Sequence, residues 1–175
     1  MIKIRIQGIE DGEHTIHEAY PAVEIKGMFP EFTGEVVIDG KLRKFGKRFA
    51  FTGTAKSTGK LVCDRSLKEF NKDIEADIKV SYMADNTLYA MIESGEIDPD
   101  AQNEIIIPED QNFIELDEEV SEQLAVSIPM KRLAPEYEDL EIEDIYPEHT
   151  HEDEPEEDEK EIDSRWENLK KLKFN

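Results

Sequence analysis

Residues 73–82 alternate without exception between polar and apolar side chains: Asp73, Glu75, Asp77, Lys79 and Ser81 against Ile74, Ala76, Ile78, Val80 and Tyr82. A period of two belongs to an extended strand, whose successive side chains point to opposite faces. A helix would scatter the same apolar residues around its circumference. The segment is therefore a strand with one face on a core and one in water, as in an antiparallel sheet. Upstream, Val36, Val37, Ile38 and Leu42 mark one strand. Phe49, Phe51, Gly53 and Ala55, alternating with Ala50, Thr52, Thr54 and Lys56, mark the next. Lys44-Phe45-Gly46-Lys47 between them is a turn whose glycine suits positive φ. Ser57-Thr58-Gly59-Lys60 reads as a second turn, leading into Leu61-Val62-Cys63. Ile2, Ile4 and Ile6 alternate with Lys3, Arg5 and Gln7 as a first strand, and residues 15–19 form another among turn residues. The expected fold is mainly β (α+β), an antiparallel meander curled into a partly closed barrel.

Helical spacing enters later. Leu116, Val120, Leu124 and Ile128 recur at i, i+4, which predicts a helix packed on the sheet. Asp117 reads as its N-cap, Glu118 and Glu119 suit the positive end of its dipole, and Pro129 stops it. Residues 86–95 read as a short helix or an irregular link, with the balance toward helix, and Ile105–Ile107 as an edge strand stopped by Pro108. Residues 135–163 hold sixteen Asp or Glu against Lys160 alone. Such a run lacks the apolar content that offsets ordering entropy and is expected to be mostly disordered. Beyond it, Ser164 and Glu167 match a capping box, and Trp166, Leu169 and Leu172 share a helical face. The expected organisation is a β-rich domain over 1–133, an acidic tail over 134–163 and a short amphipathic helix over 164–175.

The formal net charge is −22, of which the acidic run supplies −15. Against that trend, residues 41–72 carry ten Lys or Arg and only two acids, Asp64 and Glu69. On a meander, Lys41, Arg43, Lys44, Lys47 and Arg48 cluster around one hairpin end, with Lys56, Lys60 and Arg65 extending the patch. Clustered cations attract phosphate backbones, so this segment is the candidate RNA-binding face. The plainer alternative is a solvated sheet surface. The acidic run, in turn, suits a basic protein. Cys63, the single cysteine, excludes an internal disulfide and sits in an apolar run where a thiol is buried and inert. His14, His17, His149 and His151 offer no closed ligand set. With no phosphate-cradling glycine loop and no signal or membrane segment, the expectation is a cytoplasmic protein without catalytic residues, cofactor or metal.

Three local patterns resemble the YceD family, the large ribosomal RNA subunit accumulation proteins. Leu61-Val62-Cys63-Asp64-Arg65-Ser66-Leu67 is similar to that family's Cys-x-Arg-Cys-Leu element, matched here at Cys63, Arg65 and Leu67. Residues 114–133 resemble its acidic helix followed by Pro-x-Lys-x-Leu, matched at Pro129, Lys131 and Leu133. The terminus resembles its closing Asp-x-Arg and leucine pattern, matched at Asp163, Arg165, Leu169 and Leu172. Many members carry further cysteines that would form a metal site. Here Ser66 stands for the second cysteine and Ala134 follows Leu133 where another is often found, so no zinc is expected. The resemblance implies a non-enzymatic role in making or maintaining large-subunit ribosomal RNA. The partners it suggests are that RNA or a precursor particle, or else a basic ribosomal protein or processing enzyme.

Overall fold

In the computed structural model, residues 1–138 are described. Alternating sequence becomes strand wherever it was expected; the first strand is shorter than its pattern over residues 2–7, and those of the meander run longer. They are β1 (Lys3–Arg5), β2 (Gly12–Pro21), β3 (Phe32–Phe45), β4 (Arg48–Val62) and β5 (Glu69–Ala84), followed by helix α1 (Asn86–Glu93). Strands β6 (Ile105–Ile107) and β7 (Phe113–Glu115) and helix α2 (Asp117–Val126) complete the order. Met1–Ala134 form one unit; a second begins at Pro135, and of it only residues 135–138, with the short 3-10 turn Pro135–Tyr137, are described.

Five strands make one sheet in the order β2-β3-β4-β5-β6, antiparallel except for β6, which runs parallel to β5. The β6 pairing needs a crossover, and α1 supplies it, its first N–H groups capped by the carboxylate of Asp85. Strands β1 and β7 form a separate antiparallel ladder, with Lys3 opposite Glu115. One face of the large sheet is dry. Val36, Ile38 and Leu42, Phe49, Phe51 and Ala55, and Ile74, Ala76 and Ile78 pack there against Ile2, Ile4, Ile114, Val120 and Leu124. Each large aliphatic or aromatic side chain buried in this way stabilises the fold by about 1.5–3 kcal/mol.

The predicted hairpin forms, with Phe45 opposite Arg48 and Gly46 at φ 59°. Three expectations are corrected. Ser57-Thr58-Gly59-Lys60 is not a turn but the interior of β4, with Ser57 opposite Ile74 and Thr58 opposite Asp73. A Cβ on Gly59 would lie 2.7 Å from the Ile74 Cδ1, so this glycine makes room for a core side chain. The barrel is not closed among the described residues: β2 and β6 are the edges of an open ladder. Gly40 and Gly53 face each other across β3 and β4. A Cβ on Gly53 would stand 2.3 Å from the Asp39 carbonyl oxygen, and one on Gly40 would stand 2.7 Å from the Phe51 ring. Two facing glycines let the strands approach closely, with the Phe51 ring beside the gap. Finally, Asp117 is the first residue of α2 rather than its cap. Its buried carboxylate instead accepts the N–H groups of Ile2 and Lys26, tying the N-terminal segment to the helix. The expected acidic tail and C-terminal helix lie outside the described residues. Among the described residues, no helix is long and apolar enough to cross a membrane.

Candidate nucleic-acid interface

The alternation that buries one face of the meander fixes which cations reach the other. Lys41 and Arg43 on β3 and Arg48, Lys56 and Lys60 on β4 stand on the outer face, while Lys47 sits in the hairpin turn. Lys44 has the opposite parity. Its side chain is only 22 % exposed and its ammonium donates to the Ile9 carbonyl at 2.8 Å, so it holds the β2 approach to the sheet.

The register places these residues in rows across the strands. Glu13, Arg43, Ala50 and Ser81 form one row, and Thr15, Lys41, Thr52 and Lys79 the next. With Arg48 beyond them, four cations surround a floor of small side chains at the hairpin end. Lys79 was missed in the sequence because acids flank it along the chain; only the register shows its cationic neighbours. The far end of the same face has the opposite sign. Asp39, Asp77, Glu75, Asp73 and Glu69 gather there around Lys56 and Lys60. From Arg48 to Lys60 the strand spans about 40 Å at 3.3 Å per residue. The eight candidate residues therefore do not form one patch: Lys56 and Lys60 lie far along β4, and Arg65 lies beyond its end.

Acids from outside residues 41–72 meet most of these cations. Lys41 and Arg43 share Glu13 at 2.8 and 3.4 Å, and Lys44 meets Asp11 at 3.4 Å. Lys47 meets Glu109 at 2.7 Å and Arg48 meets Glu104 at 3.3 Å. Lys56 pairs with Glu75 at 3.2 Å, and Lys60 with Glu69 at 2.7 Å. Hydrogen bonds from Lys41 and Arg43 hold the Glu13 carboxyl below its usual range, and the Glu109 carboxylate raises Lys47. These contacts are open to solvent, so they tie up the cations only loosely. Lys79 has no ion pair among the described residues.

A second constellation joins two of the sequence elements singled out above. The chain leaves β4 into a loop over residues 63–68, and the segment following α2 returns beside it. The Asp64 N–H donates to the Arg132 carbonyl at 2.8 Å, and the Arg132 N–H donates to the Asp64 carboxylate at 2.7 Å. The Ala134 N–H donates to the Cys63 sulfur at 3.4 Å. Burial pushes the Cys63 thiol up, but the Ser66 hydroxyl and the N–H groups of Ala134, Ser66 and Arg65 outweigh it and bring it down to about 7. Cys63, Ser66 and Ala134, the three positions where cysteines were weighed, thus converge on one point. One thiol, a hydroxyl and a methyl do not make a tetrahedral donor set. Among the described residues, no group of three or more His, Cys, Asp or Glu could hold a metal ion. Leu133 is buried, while Asp163, Arg165, Leu169 and Leu172 lie outside the described residues.

A family model described as large ribosomal RNA subunit accumulation protein YceD matches residues 51–173. No curated protein and no solved structure match the chain.

Proposed function

The chain belongs to the YceD family, whose name points to ribosome biogenesis, and from that premise we propose that it is a non-enzymatic cytoplasmic factor contacting large-subunit ribosomal RNA or a precursor particle. The contact is made by the basic 41–72 segment, in supporting synthesis, processing or accumulation of that RNA. The observation that carries this reading is the hairpin end of the open sheet face. Arg43, Lys41, Arg48 and Lys79 there border the small side chains of Ala50, Thr52 and Ser81, with Phe45 exposed opposite Arg48 at the turn. Lys47 extends it at the turn. Their ion pairs are exposed, and a phosphate can take them over with release of counterions.

A second reading rests on the net −15 of residues 135–163, which suits a basic ribosomal protein or processing enzyme. The two are separated by replacing Lys41, Arg43, Lys47 and Arg48 with glutamate and titrating a large-subunit RNA fragment. Loss of four phosphate contacts should weaken binding by at least about a hundredfold at low salt and flatten the salt dependence by roughly 0.9 per contact. Equal affinity before and after, with the melting temperature retained, leaves the hairpin end as a solvated surface.

A further inference from the structure

Near the end of β4 away from the hairpin, beyond the Lys60–Glu69 pair, three cations stand without an acid. Lys68, Lys131 and Arg132 have no ion pair among the described residues. The bonds between residues 63–64 and 132–134 bring the loop that carries Lys68 beside the segment that carries Lys131 and Arg132. The nearest acid on that loop, Asp64, is already committed to the Arg132 N–H.

The same corner displays aliphatic side chains that the core does not use. Met130 is fully exposed, Leu67 is 78 % exposed and Val62 is 45 % exposed. Leu67 is also the one described non-glycine residue with positive φ, at 56°. A leucine in the left-handed region is strained by its Cβ, and here burial does not offset the strain, because the side chain points into water. Glycine would suit the backbone better. The leucine is therefore explained by what it can touch outside the domain.

We propose that this corner, at the junction of residues 62–68 and 130–134, is a docking surface for an acidic amphipathic segment of a partner protein. Aliphatic residues of the partner pack on Val62, Leu67 and Met130, and its carboxylates meet Lys68, Lys131 and Arg132. The chemistry favours protein over RNA: Val62, Leu67 and Met130 offer aliphatic packing rather than a stacking plane, and a single guanidinium, Arg132, is no platform for successive bases. The surface is independent of the hairpin end and stands whether or not that end binds RNA.

The test uses the full chain and a synthetic peptide with leucines at helical i, i+4 spacing and glutamates elsewhere, followed by amide chemical shifts and fluorescence anisotropy. The expected result is shifts confined to residues 62–68 and 130–134, and affinity that falls on going from about 50 to about 500 mM salt. Leu67→Gly and Met130→Ser, both open to solvent, should each weaken binding about tenfold. Val23→Ser, at an exposed site elsewhere, should leave it unchanged, and so should charge reversal at the hairpin end. Shifts spread over other faces, or affinity that survives both substitutions, overturn the proposal. So does a large-subunit RNA fragment that shifts these amides and depends on Lys131 and Arg132 but not on Leu67.

Discussion

Replacing Glu13 with glutamine tests whether the hairpin cations are available to a phosphate backbone. Glu13 lies in the Arg43 row of the outer face and holds both Lys41 and Arg43. Neutralising it leaves the two cations in place and raises the local net charge by one, equivalent to one further phosphate neutralised. Each such phosphate steepens the dependence of log K on log salt by about 0.9, so against 1 M salt it is worth roughly fifteenfold at 50 mM and fourfold at 200 mM. Glu13→Gln should therefore tighten binding of a large-subunit RNA fragment, with a gain that shrinks between those two salts. Anisotropy titrations across the range measure it directly. Glu75→Gln makes the same charge change beside Lys56, at the acidic end of the face and several turns of the pleat away. At a separation beyond a Debye length its effect should be small. Equal gains from both variants would mean that only net charge matters, and no gain from either would remove the hairpin end as the contact.

Two further outcomes test the frame around the site. Gly53→Ala forces a Cβ against the Asp39 carbonyl oxygen, a backbone atom that cannot swing aside, and should cost at least about 2–3 kcal/mol, seen as a melting temperature lower by roughly 5–10 °C. Thr52→Ala, at an exposed position of the same strand, serves as the mild comparison, and equal losses would show that the sheet relaxes around the new methyl group. The Cys63 thiol, brought down to about 7 from an ordinary 9.0, favours the folded state as the thiolate. Its contribution is complete above the unfolded value and disappears as pH falls through 7, so stability should rise from pH 7 to 9. Cys63→Ala should flatten that rise in denaturant midpoints, and an unchanged slope would place its source elsewhere.

The strands of the meander were legible because one face of each is dry, and residues 73–82 state this outright. What escaped notice depends on partners distant in the chain. Ser57-Thr58-Gly59-Lys60 has the composition of a turn, and only the Ile74 side chain over Gly59 explains a glycine inside a strand. Strand β7 has three residues, too few for a period, and exists because β1 pairs with it. The basic segment was visible as a run, but its electrostatics were not. Glu13, Glu104 and Glu109 reach it through register and loop closure, and Lys79 joins it from an acidic stretch. The cysteine-bearing loop and the segment after α2 were each recognisable as elements; that they hydrogen-bond to each other is a property of the fold alone.

The tie between the two ends of the domain also sets a timetable. Lys3 pairs with Glu115, and the Ile2 N–H is held by Asp117, so the first strand has no partner until more than a hundred later residues exist. The hairpins of β2 to β5 need only near neighbours and can assemble as they emerge. At about 5–20 residues per second of synthesis, the growing chain carries an unmatched strand of isoleucines for several seconds. A nascent domain of this design is open along one side until α2 arrives, and its earliest residues are the last to find their place.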